Sequence, residues 1–358
     1  MAKHEYSRNP STIGKVLLTG HTGFKGVWMT LLLEQLGVEV VGLSLPAEQD
    51  SLYQRIGRKG AIEEFIFDIN NRAKVAKVFK KCGVQTVIHM AAQPLVLRSY
   101  KEPAKTFETN VMGSVNILDS AFNSSTVKAV VVVTTDKVYE NKNTGKRFVE
   151  SDSLLGKDPY SASKVGTESA VAAWSQISLI NGGPSVISAR AGNVIGGGDF
   201  AHDRIIPDLI RGYKKSETVR VRSPKSTRPW QHALDPISGY LMAAIDANKS
   251  SAQYSVNFGP TDQSLEVEEV VLSAKQIFGE KLQIEYPAAD NSSLESHLLD
   301  LDSGFAQEKF GWKPVLTQKE AISRTFEWWD DVIQKRATAE GACKQDVKTF
   351  ISGHGFIS

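Results

Sequence analysis

The stretch Lys15-Val-Leu-Leu-Thr-Gly-His-Thr-Gly-Phe-Lys-Gly26 decides the fold. Its first residues predict a short apolar strand, and an apolar helix is predicted to follow from about Phe24 to Leu36. Three glycines, Gly20, Gly23 and Gly26, lie between that strand and that helix. Here they allow a tight turn, a close approach of the backbone to a pyrophosphate, and packing of the helix on the sheet. The stretch therefore predicts a βαβ unit with a dinucleotide at the helix N-terminus.

Strand-like and helix-like segments continue to alternate beyond this unit. Strands are predicted at 38–45, 84–90, 130–135 and 185–190, and helices at 73–81, 103–123 and 160–180. The run from Val130 to Val133 is aliphatic throughout, which is typical of a parallel strand covered on both faces. The alternation predicts an α/β protein with a Rossmann-type, doubly wound parallel sheet and right-handed crossovers.

The regular alternation weakens after about residue 191, where a glycine triplet and several prolines interrupt the chain. We predict a dinucleotide-binding domain over residues 14–190 and a smaller, partly interleaved α/β substrate lobe over residues 191–340. The lobe is expected at the carboxyl edge of the sheet, where ligands bind in such folds. Residues 341–358 are weakly patterned, and we predict a C-terminal tail there.

Composition narrows the class of protein. The 358 residues are 41% hydrophobic and 23% charged, which is ordinary for a globular protein and excludes disorder for most of the chain. Lys and Arg total 42 against 40 Asp and Glu, a balance that favours neither nucleic acid nor an anionic membrane as partner. The two cysteines and the absence of a secretory signal predict a cytoplasmic protein. The seven histidines are scattered, so no metal site is predicted.

The segment Tyr160-Ser-Ala-Ser-Lys164 is the candidate catalytic motif. Four-residue spacing on a helix places the tyrosine and the lysine on one face. A nearby ammonium favours the tyrosinate, so we expect the pKa of Tyr160 to fall and Tyr160 to act as a base toward a sugar hydroxyl. Lys164 is also expected to reach the nicotinamide ribose. The segment Thr134-Thr-Asp-Lys137 follows a buried strand, and its Asp–Lys pair is either catalytic or a solvated salt bridge.

Several longer segments carry a family resemblance. They are residues 19–26, His89-Met-Ala-Ala-Gln-Pro-Leu-Val96, Thr109-Asn-Val-Met-Gly113, 134–137, Asp158-Pro-Tyr-Ser161, Arg190-Ala-Gly-Asn-Val-Ile-Gly-Gly-Gly-Asp199, Thr227-Arg-Pro-Trp-Gln-His232 and the stretch 298–312. With these the chain resembles the extended short-chain dehydrogenases/reductases, specifically the nucleotide-sugar 4,6-dehydratases and among them the group that acts on CDP-glucose. The resemblance covers residue 15 to about 315.

The resemblance implies an internally balanced redox reaction. Hydride leaves sugar carbon 4 with Tyr160 as base and Thr135 holding the hydroxyl, water is lost across carbons 5 and 6, and hydride returns to carbon 6. Asp136 would protonate the leaving hydroxyl. Lys137 stands where related dehydratases carry a glutamate that handles the carbon 5 proton, and the CDP-glucose group also has lysine there.

The resemblance and the motifs together define the candidate ligand contacts. For the dinucleotide these are Gly20, Thr22, Gly23, Phe24, Lys25, Gly26, Ser44, Asp68, Ile69, Ala91, Ala92, Gln93, Asn110, Tyr160 and Lys164. For a nucleotide-sugar substrate they are Gln93, Arg98, Asn193, Arg204, Arg228, His232, Glu295 and His297. Arginine suits the diphosphate because its fork donates two parallel hydrogen bonds. For His232, packing or a structural hydrogen bond is the favoured role.

Some points stay open at the level of sequence. The second strand ends without the carboxylate that usually holds the NAD ribose and without an adjacent arginine, so NAD is favoured and NADP is not excluded. The segment 141–150 is shorter than in related CDP-glucose dehydratases and lacks their tryptophan, which leaves the base and the hexose open. By resemblance this segment lies near the active site.

Two other functions compete with dehydration. One is a nucleotide-sugar 4-epimerase, which usually carries small, non-titrating residues where Asp136 and Lys137 stand. The other is a non-catalytic dinucleotide-binding sensor, which has no need of both Tyr160 and Lys164. The resemblance also implies a homodimer, or a tetramer built from it, through the helix after Pro103 and the Tyr160 helix.

Overall fold

The computed structural model of the chain describes residues 8–201, 204–249, 251–287 and 299–356. Its centre is a seven-stranded parallel sheet that consists of β1 (Val16–Thr19), β2 (Val40–Ser44), β3 (Glu63–Ile66), β4 (Thr86–His89), β5 (Ala129–Val133), β6 (Ser185–Ala191) and β11 (Gln253–Phe258). The strand order is β11-β6-β5-β4-β1-β2-β3. Chain order therefore reverses between β1 and β4, and the loops that leave these strands diverge and open a crevice. The predicted doubly wound α/β sheet is confirmed.

The helices connect and cover these strands. They are α1 (Phe24–Gln35), α2 (Leu52–Arg55), α3 (Arg72–Cys82), α4 (Val96–Lys101), α5 (Pro103–Phe107), α6 (Gly113–Phe122), α7 (Pro159–Asn181), α8 (Ile205–Lys215), α9 (Leu234–Lys249), α10 (Val267–Phe278), α11 (Gly304–Phe310), α12 (Gln318–Ile333) and α13 (Ala339–His354). A π-helical turn, Glu108–Met112, joins α5 to α6. The start of α7 is set locally, because Asp158 and Ser161 form a capping box around Pro159.

The core has one layer on each face of the sheet. Val130 and Val132 of β5 pack with α3, α6 and α7, whereas Val131 and Val133 pack on the opposite side with α1 and α9. Successive side chains of a strand point to opposite faces, so a strand covered on both faces is apolar at every position. This explains why β5 is a continuous aliphatic run.

Short strand pairs form a second part of the molecule. They are built from β7 (Val194–Ile195), β8 (Val219–Arg220), β9 (Thr227–Arg228), β10 (Gln231–His232), β12 (Leu265–Glu266) and β13 (Ile284–Glu285), paired as β10–β7, β12–β9 and β13–β8. Between them the chain returns to the large sheet, because α9 packs on β5 and β6 and β11 pairs with β6. The two parts are thus interleaved in sequence, and the division at residue 190 stays a prediction.

The predicted C-terminal tail is wrong for most of its length. Residues Ala339–His354 form α13, which packs against α1 and α9. Its buried side chains include Cys343, Val347 and Phe350, and Phe350 stacks on His232 with ring centroids 4.8 Å apart. The apolar spacing of this helix was obscured because Asp346 and His354 are buried on the same face. Among the described residues, no helix combines the length and apolar composition needed to cross a bilayer.

Candidate active site

A cavity of about 1020 Å³ opens at the carboxyl ends of β5 and β6. The predicted catalytic side chains Thr135, Asp136, Lys137 and Tyr160 line it and are called the catalytic wall, and Lys25 from the first turn of α1 lines it as well. Asn193 and a group of arginines, the arginine wall, line the same cavity: Arg204, Arg220, Arg222 and Arg228. A cavity that combines titratable groups with several arginines fits a substrate that has a reactive group and a phosphate.

The face of α7 that carries Tyr160 and Lys164 lies against the end of β5. Tyr160 is hydrogen-bonded to the hydroxyl of Thr135, and Lys164 Nζ donates to the carbonyl oxygen of Val133 at 3.1 Å. Both side chains are buried, with exposed fractions of 8% for Tyr160 and 5% for Lys164. Thr135 precedes Tyr160 by 25 positions and Lys164 by 29 in the sequence. The folded chain brings these three residues together.

The expected fall in the pKa of Tyr160 is not found. Burial raises the pKa of Tyr160 to about 12, and the hydrogen bond with Thr135 only partly offsets this. Burial also lowers the pKa of Lys164 to about 8, opposed by the carboxylate of Glu168. The expectation was wrong because it weighed the nearby ammonium and left out desolvation, which disfavours the charged form of both groups.

Asp136 and Lys137 form a close pair after β5. The Asp136 side chain is buried, and its Oδ1 accepts hydrogen bonds from Thr135 Oγ1 at 2.8 Å and from Lys137 Nζ at 3.4 Å. The other oxygen, Oδ2, lies against Gly192, where an added Cβ would approach it to 3.1 Å. Lys137 is 24% exposed and lines the cavity. The pair is therefore part of the cavity wall and is not a freely solvated salt bridge.

Lys25 was predicted to contact the dinucleotide, and its side chain lies on the cavity side of α1. Its Nζ donates to Tyr240 Oη at 3.5 Å, and it lies 5.5 Å from the centre of that ring. Burial, and then the cations Lys164 and Arg204, lower the pKa of Lys25 to about 7, while Asp136 opposes the shift. The side chain can therefore change protonation near neutral pH.

The glycine turn has the geometry that its motif predicts. Gly20 has a φ of +78°, and an added Cβ on Gly26 would lie 2.0 Å from the carbonyl oxygen of Gly20. Gly23 caps α1 without any side-chain hydrogen bond to the first turn. The free N–H groups of that turn and the close backbone approach fit a pyrophosphate. Phe24 begins α1 and packs toward the core cluster on that side of the sheet.

The end of β2 carries hydroxyl groups where a carboxylate is usual. Thr22 and Ser44 are hydrogen-bonded through their hydroxyls at 2.7 Å, and Thr22 also donates to the carbonyl of Leu45. Asp68 follows β3 and pairs with Lys105 at 3.3 Å. The side chain of Ile69 is buried against Gly113. These residues lie along one edge of the predicted dinucleotide site.

The loop after β4 is held by internal hydrogen bonds. Ala91 and Ala92 begin this loop, and Ala91 N donates to Thr19 Oγ1. Asn110 accepts from Gln93 N and donates to its carbonyl, while the side chain of Gln93 donates to Leu95 O. The side chains of Gln93 and Asn110 therefore support the loop, and Gln93 does not line the cavity. Direct contact of this loop with a ligand stays a prediction.

Four of the predicted substrate residues line the cavity: Arg98, Asn193, Arg204 and Arg228. Arg98 pairs with Glu102 on α4 at 3.0 Å, and Arg204 pairs with Asp199 at 2.9 Å. The guanidinium of Arg228 donates to the carbonyl of Thr227. Arg98 and Arg204 are each paired with one carboxylate, and a guanidinium has five N–H donors, which suits it to hold a phosphate as well.

His232 was wrongly predicted as a substrate contact. It is fully buried between Trp28 and Phe350, its Nδ1 accepts from Leu234 N, and it does not line the cavity. The role as a packed, structurally bonded histidine is the one observed. Glu295 and His297 lie outside the described residues.

The segment 141–150 does not reach the cavity either. Phe148 stacks on Tyr139 at 5.0 Å, and Arg147 donates to the carbonyls of Thr261 and Asp262. The segment is therefore anchored beside the strands and loops that support the site. Tyr139 follows Lys137 by two residues, so the expectation that the segment lies near the active site stays a prediction.

Sequence reasoning missed several residues of this site. Tyr240 lies on α9 and meets Lys25 only in the folded chain. Arg220 and Arg222 extend the arginine wall from β8. Glu168 lies under the catalytic layer, and its position eight residues after Tyr160 on α7 was a signal that could have identified it. In the part of the chain that the structure describes, no group of three or more His, Cys, Asp or Glu is placed to hold a metal ion.

Comparisons with known proteins agree with this architecture. Residues 16–259 match the model of the NAD dependent epimerase/dehydratase family. The chain is 38% identical over 324 residues to the CDP-glucose 4,6-dehydratase of Salmonella typhimurium, which covers 88% of this chain and 90% of that protein.

Two solved structures illustrate the similarity of fold. The dTDP-glucose 4,6-dehydratase of Bacillus anthracis in complex with NAD has a TM-score of 0.74 at 22% identity, with 89% of this chain and 97% of that chain covered. The UDP-glucose-4-epimerase of Stenotrophomonas maltophila with bound NAD and formylated UDP-arabinopyranose has a TM-score of 0.78 at 21% identity, with coverage of 90% and 100%. At such identities the likeness concerns the fold.

Proposed function

The chain belongs to the NAD dependent epimerase/dehydratase family, and we propose that it is a nucleotide-sugar 4,6-dehydratase that acts on CDP-glucose. The observation that carries the proposal is the joined wall of Tyr160, Thr135, Asp136 and Lys137 in one cavity. Tyr160 and Thr135 suit the oxidation of a hydroxyl group. Asp136 and Lys137 supply the acid and the base of an elimination. The identity to a CDP-glucose 4,6-dehydratase supports the choice of nucleotide.

The cofactor is NAD. The glycine turn and the free N–H groups of α1 suit its pyrophosphate, and the hydroxyls of Thr22 and Ser44 are available to a ribose. No lysine or arginine occurs among residues 44–47, where a 2′-phosphate would need a cation. Held by these groups, NAD would supply the acceptor, and then the donor, of the hydride that passes from sugar carbon 4 to carbon 6. Binding of NAD at least tenfold tighter than NADP by calorimetry is the expected result.

Each proton transfer of the reaction is assigned to a side chain of the catalytic wall. Tyr160 is neutral in the ligand-free chain, because burial raises its pKa to about 12. In its minor tyrosinate form, which cationic Lys164 stabilises, it takes the proton of the carbon 4 hydroxyl that Thr135 also holds. The ketone at carbon 4 makes the carbon 5 proton acidic, and Lys137 is the group that removes it. Asp136 is the group that gives a proton to the carbon 6 hydroxyl as the C–O bond breaks and water leaves. The sum is loss of one water with no net oxidation.

The arginine wall positions the rest of the substrate. Asn193, Arg204 and Arg228 face the diphosphate in this proposal, since a guanidinium donates two parallel hydrogen bonds to phosphate oxygens. In this proposal residues 14–190 bind NAD and residues 191–340 bind the nucleotide sugar, with α9 and β11 shared between the two parts. Arg98 closes the cavity from α4.

The deciding experiment is turnover with a mass readout. Purified protein is mixed with CDP-glucose and, separately, with GDP-, UDP- and dTDP-sugars, with and without NAD. We expect loss of one water from CDP-glucose alone. In D2O one deuteron should enter at carbon 5, and deuterium placed at carbon 4 should appear at carbon 6. A new isomer of unchanged mass would instead identify an epimerase, and bound dinucleotide without turnover would identify a sensor.

Substitutions separate the two half-reactions. Tyr160→Phe should prevent oxidation at carbon 4, whereas Lys137→Met should still reduce NAD with the carbon 4 hydride, measured as NADH absorbance, while water loss stops. Lys101→Met is the matched control, because Lys101 also lines the cavity from α4 but is exposed and outside the catalytic wall. Normal turnover by Lys137→Met would contradict the role of Lys137.

We propose a homodimer formed by α5, α6 and α7. Exposed apolar side chains lie on and next to these helices: Leu97, Tyr100, Phe107, Met112, Ile177, Leu179 and Ile180. Such residues are unusual on a free surface when they cluster, and they favour contact with a second copy. Sedimentation should show a dimer, or a tetramer built from it. A clean monomer at micromolar concentration would contradict this.

We also propose a cytoplasmic location. Cys82 and Cys343 are both free and buried, which suits a reducing compartment. The proposed substrates, nucleotide sugars, support the same location. Cell fractionation with an antibody against the chain should find it with soluble cytoplasmic enzymes, and recovery with secreted proteins would contradict the proposal.

A further inference from the structure

A buried polar layer lies directly beneath the catalytic wall. Its centre is Glu168 on α7, paired with Arg190 on β6 through two hydrogen bonds, Nη2 to Oε2 at 2.7 Å and Nε to Oε1 at 3.0 Å. Both side chains are 4% exposed. The same Oε1 accepts hydrogen bonds from the hydroxyls of Thr134 and Ser188. A charged pair this deep has little contact with the solvent, so its charges are stabilised chiefly by the hydrogen bonds of the protein.

The way in which α7 packs along β5 connects this buried layer to the catalytic residues. Tyr160, Lys164 and Glu168 are spaced by four residues and share one helix face. They bond to three consecutive residues at the end of β5: Lys164 to the carbonyl of Val133, Glu168 to the hydroxyl of Thr134, and Tyr160 to the hydroxyl of Thr135. One face of α7 thus holds each of the three residues at the end of β5 through a hydrogen bond.

We propose that Glu168, held by Arg190, is a positioning residue of the active site, which fixes Thr134 and thereby Thr135 and which keeps Lys164 protonated. This rests on the proposed function for the roles of Thr135 and Lys164. Glu168 does not line the cavity, so it acts through these neighbours and not on the substrate.

The charges around Lys164 support the second part of the proposal. Glu168 is one helical turn away on the same face and favours the ammonium form. The charge of Lys164 also acts on Lys25 from α1 and on His89 at the end of β4. Burial lowers the pKa of His89 to about 3, so His89 is neutral. Tyr160 on the same helix is neutral at pH 7, since its pKa is about 12. Among the described residues, Glu168 is thus the anion that offsets the burial of the Lys164 cation.

Arg190 fixes the direction in which Glu168 points. Besides Glu168 it bonds to Tyr139 Oη at 2.9 Å, to the carbonyl of Glu150 at 3.1 Å and to Ser255 Oγ at 3.1 Å. These partners come from three different segments of the chain. The guanidinium therefore cannot follow a displaced carboxylate, and the carboxylate stays between Arg190 and Thr134.

The experiment titrates Lys164 itself in the full-length chain without substrate. The protein is labelled with 13C at the lysine carbon next to Nζ, and the Lys164 signal is assigned by its loss in Lys164→Met. In Glu168→Gln we expect the midpoint of the Lys164 titration to fall by about one pH unit or more, because an opposite charge has been removed. Glu168→Asp, which keeps the charge but shortens the reach to Thr134, should keep the midpoint and lower kcat.

Two further variants keep the test decisive. Glu168→Gln leaves Arg190 unpaired and can fail to fold, so Glu168→Gln/Arg190→Met removes the pair as a unit and should show the same fall. The matched control is Asp346→Asn/Arg324→Met, which removes another ion pair with a buried carboxylate, between α13 and α12, and should leave the midpoint unchanged.

The outcomes are distinct from those of the proposed function. A Lys164 midpoint that stays within about 0.3 pH units of the wild type in Glu168→Gln and in Glu168→Gln/Arg190→Met would overturn the charge role. An unchanged kcat in Glu168→Asp would overturn the positioning role. If the wild type turned over no nucleotide sugar, the proposed function would fail, and the titration would still decide whether Glu168 holds the charge of Lys164.

Discussion

Replacing Lys25 by methionine should stabilise the protein at neutral pH. Lys25 lies on the first turn of α1, half-buried, with its Nζ 3.5 Å from Tyr240 Oη. Burial and the cations Lys164 and Arg204 lower its pKa to about 7, against an ordinary value of 10.5. Methionine has a similar length and carries no charge, so the substitution removes the cost of burying the cation while it keeps most of the packing.

The magnitude follows from the difference in pKa between the folded and the unfolded chain. A shift of about 3.5 units, at about 1.4 kcal/mol per unit, sets an upper limit of about 5 kcal/mol. Because Lys25 faces a cavity that water enters, we expect roughly half of this, about 2–3 kcal/mol. Between about pH 7 and pH 10.5 the unfolded chain binds more protons at Lys25 than the folded chain. The free energy of unfolding of the wild type therefore rises with pH in this window, and the full cost is present below it.

The assay is urea unfolding of the wild type and Lys25→Met without ligands, from about pH 6 to pH 9.5. We expect the variant to be more stable at pH 6 and pH 7, and the difference to narrow as pH rises. Lys101→Met, an exposed lysine at the same cavity, should change stability by less than about 0.5 kcal/mol at every pH. A difference for Lys25→Met that does not vary with pH, or a less stable variant, would refute the reasoning.

Three further substitutions test the glycine turn, a glycine with positive φ and the packing of α13. Gly26→Ala places a Cβ 2.0 Å from the carbonyl oxygen of Gly20, so calorimetry should show NAD binding weakened at least about tenfold. Gly37→Ala has open space but a φ of +70°, and it should cost about 1 kcal/mol in urea unfolding and leave NAD binding unchanged. Phe350→Ala should cost about 3–5 kcal/mol in urea unfolding, and a loss below 1 kcal/mol would show that α13 is not part of the core.

Local signals in the sequence were enough for the central sheet and for part of the site. The glycine turn between a strand and a helix, the aliphatic run of β5 and the four-residue spacing of Tyr160 and Lys164 each depend on neighbours in the chain. The same holds for the start of α7, where Asp158 and Pro159 set the first turn. Periodicity and capping act over a few residues, so a sequence shows them directly.

The predictions from sequence were wrong at positions whose role depends on burial in the folded chain and not on the local pattern of residue types. Helix α13 has buried Asp346 and His354 on the face that carries Phe350, so its amphipathic pattern is weak in the sequence. His232 occurs in a motif of the substrate lobe, but it is packed between Trp28 and Phe350. The sequence gives the same residue type for a histidine buried in the core and for one that binds a ligand. Only its surroundings in the folded chain distinguish the two roles.

The sequence by itself determined the alternation of strands and helices up to about residue 190, the dinucleotide turn and the residue types available for catalysis. Only the tertiary structure decided their electrostatics: that burial raises the pKa of Tyr160, that Lys25 enters the cavity beside Tyr240, and that Glu168 lies under Lys164. The reason is physical. Hydrogen-bond periodicity is local in the chain, whereas desolvation and charge interactions depend on distances in space between residues that are far apart in sequence.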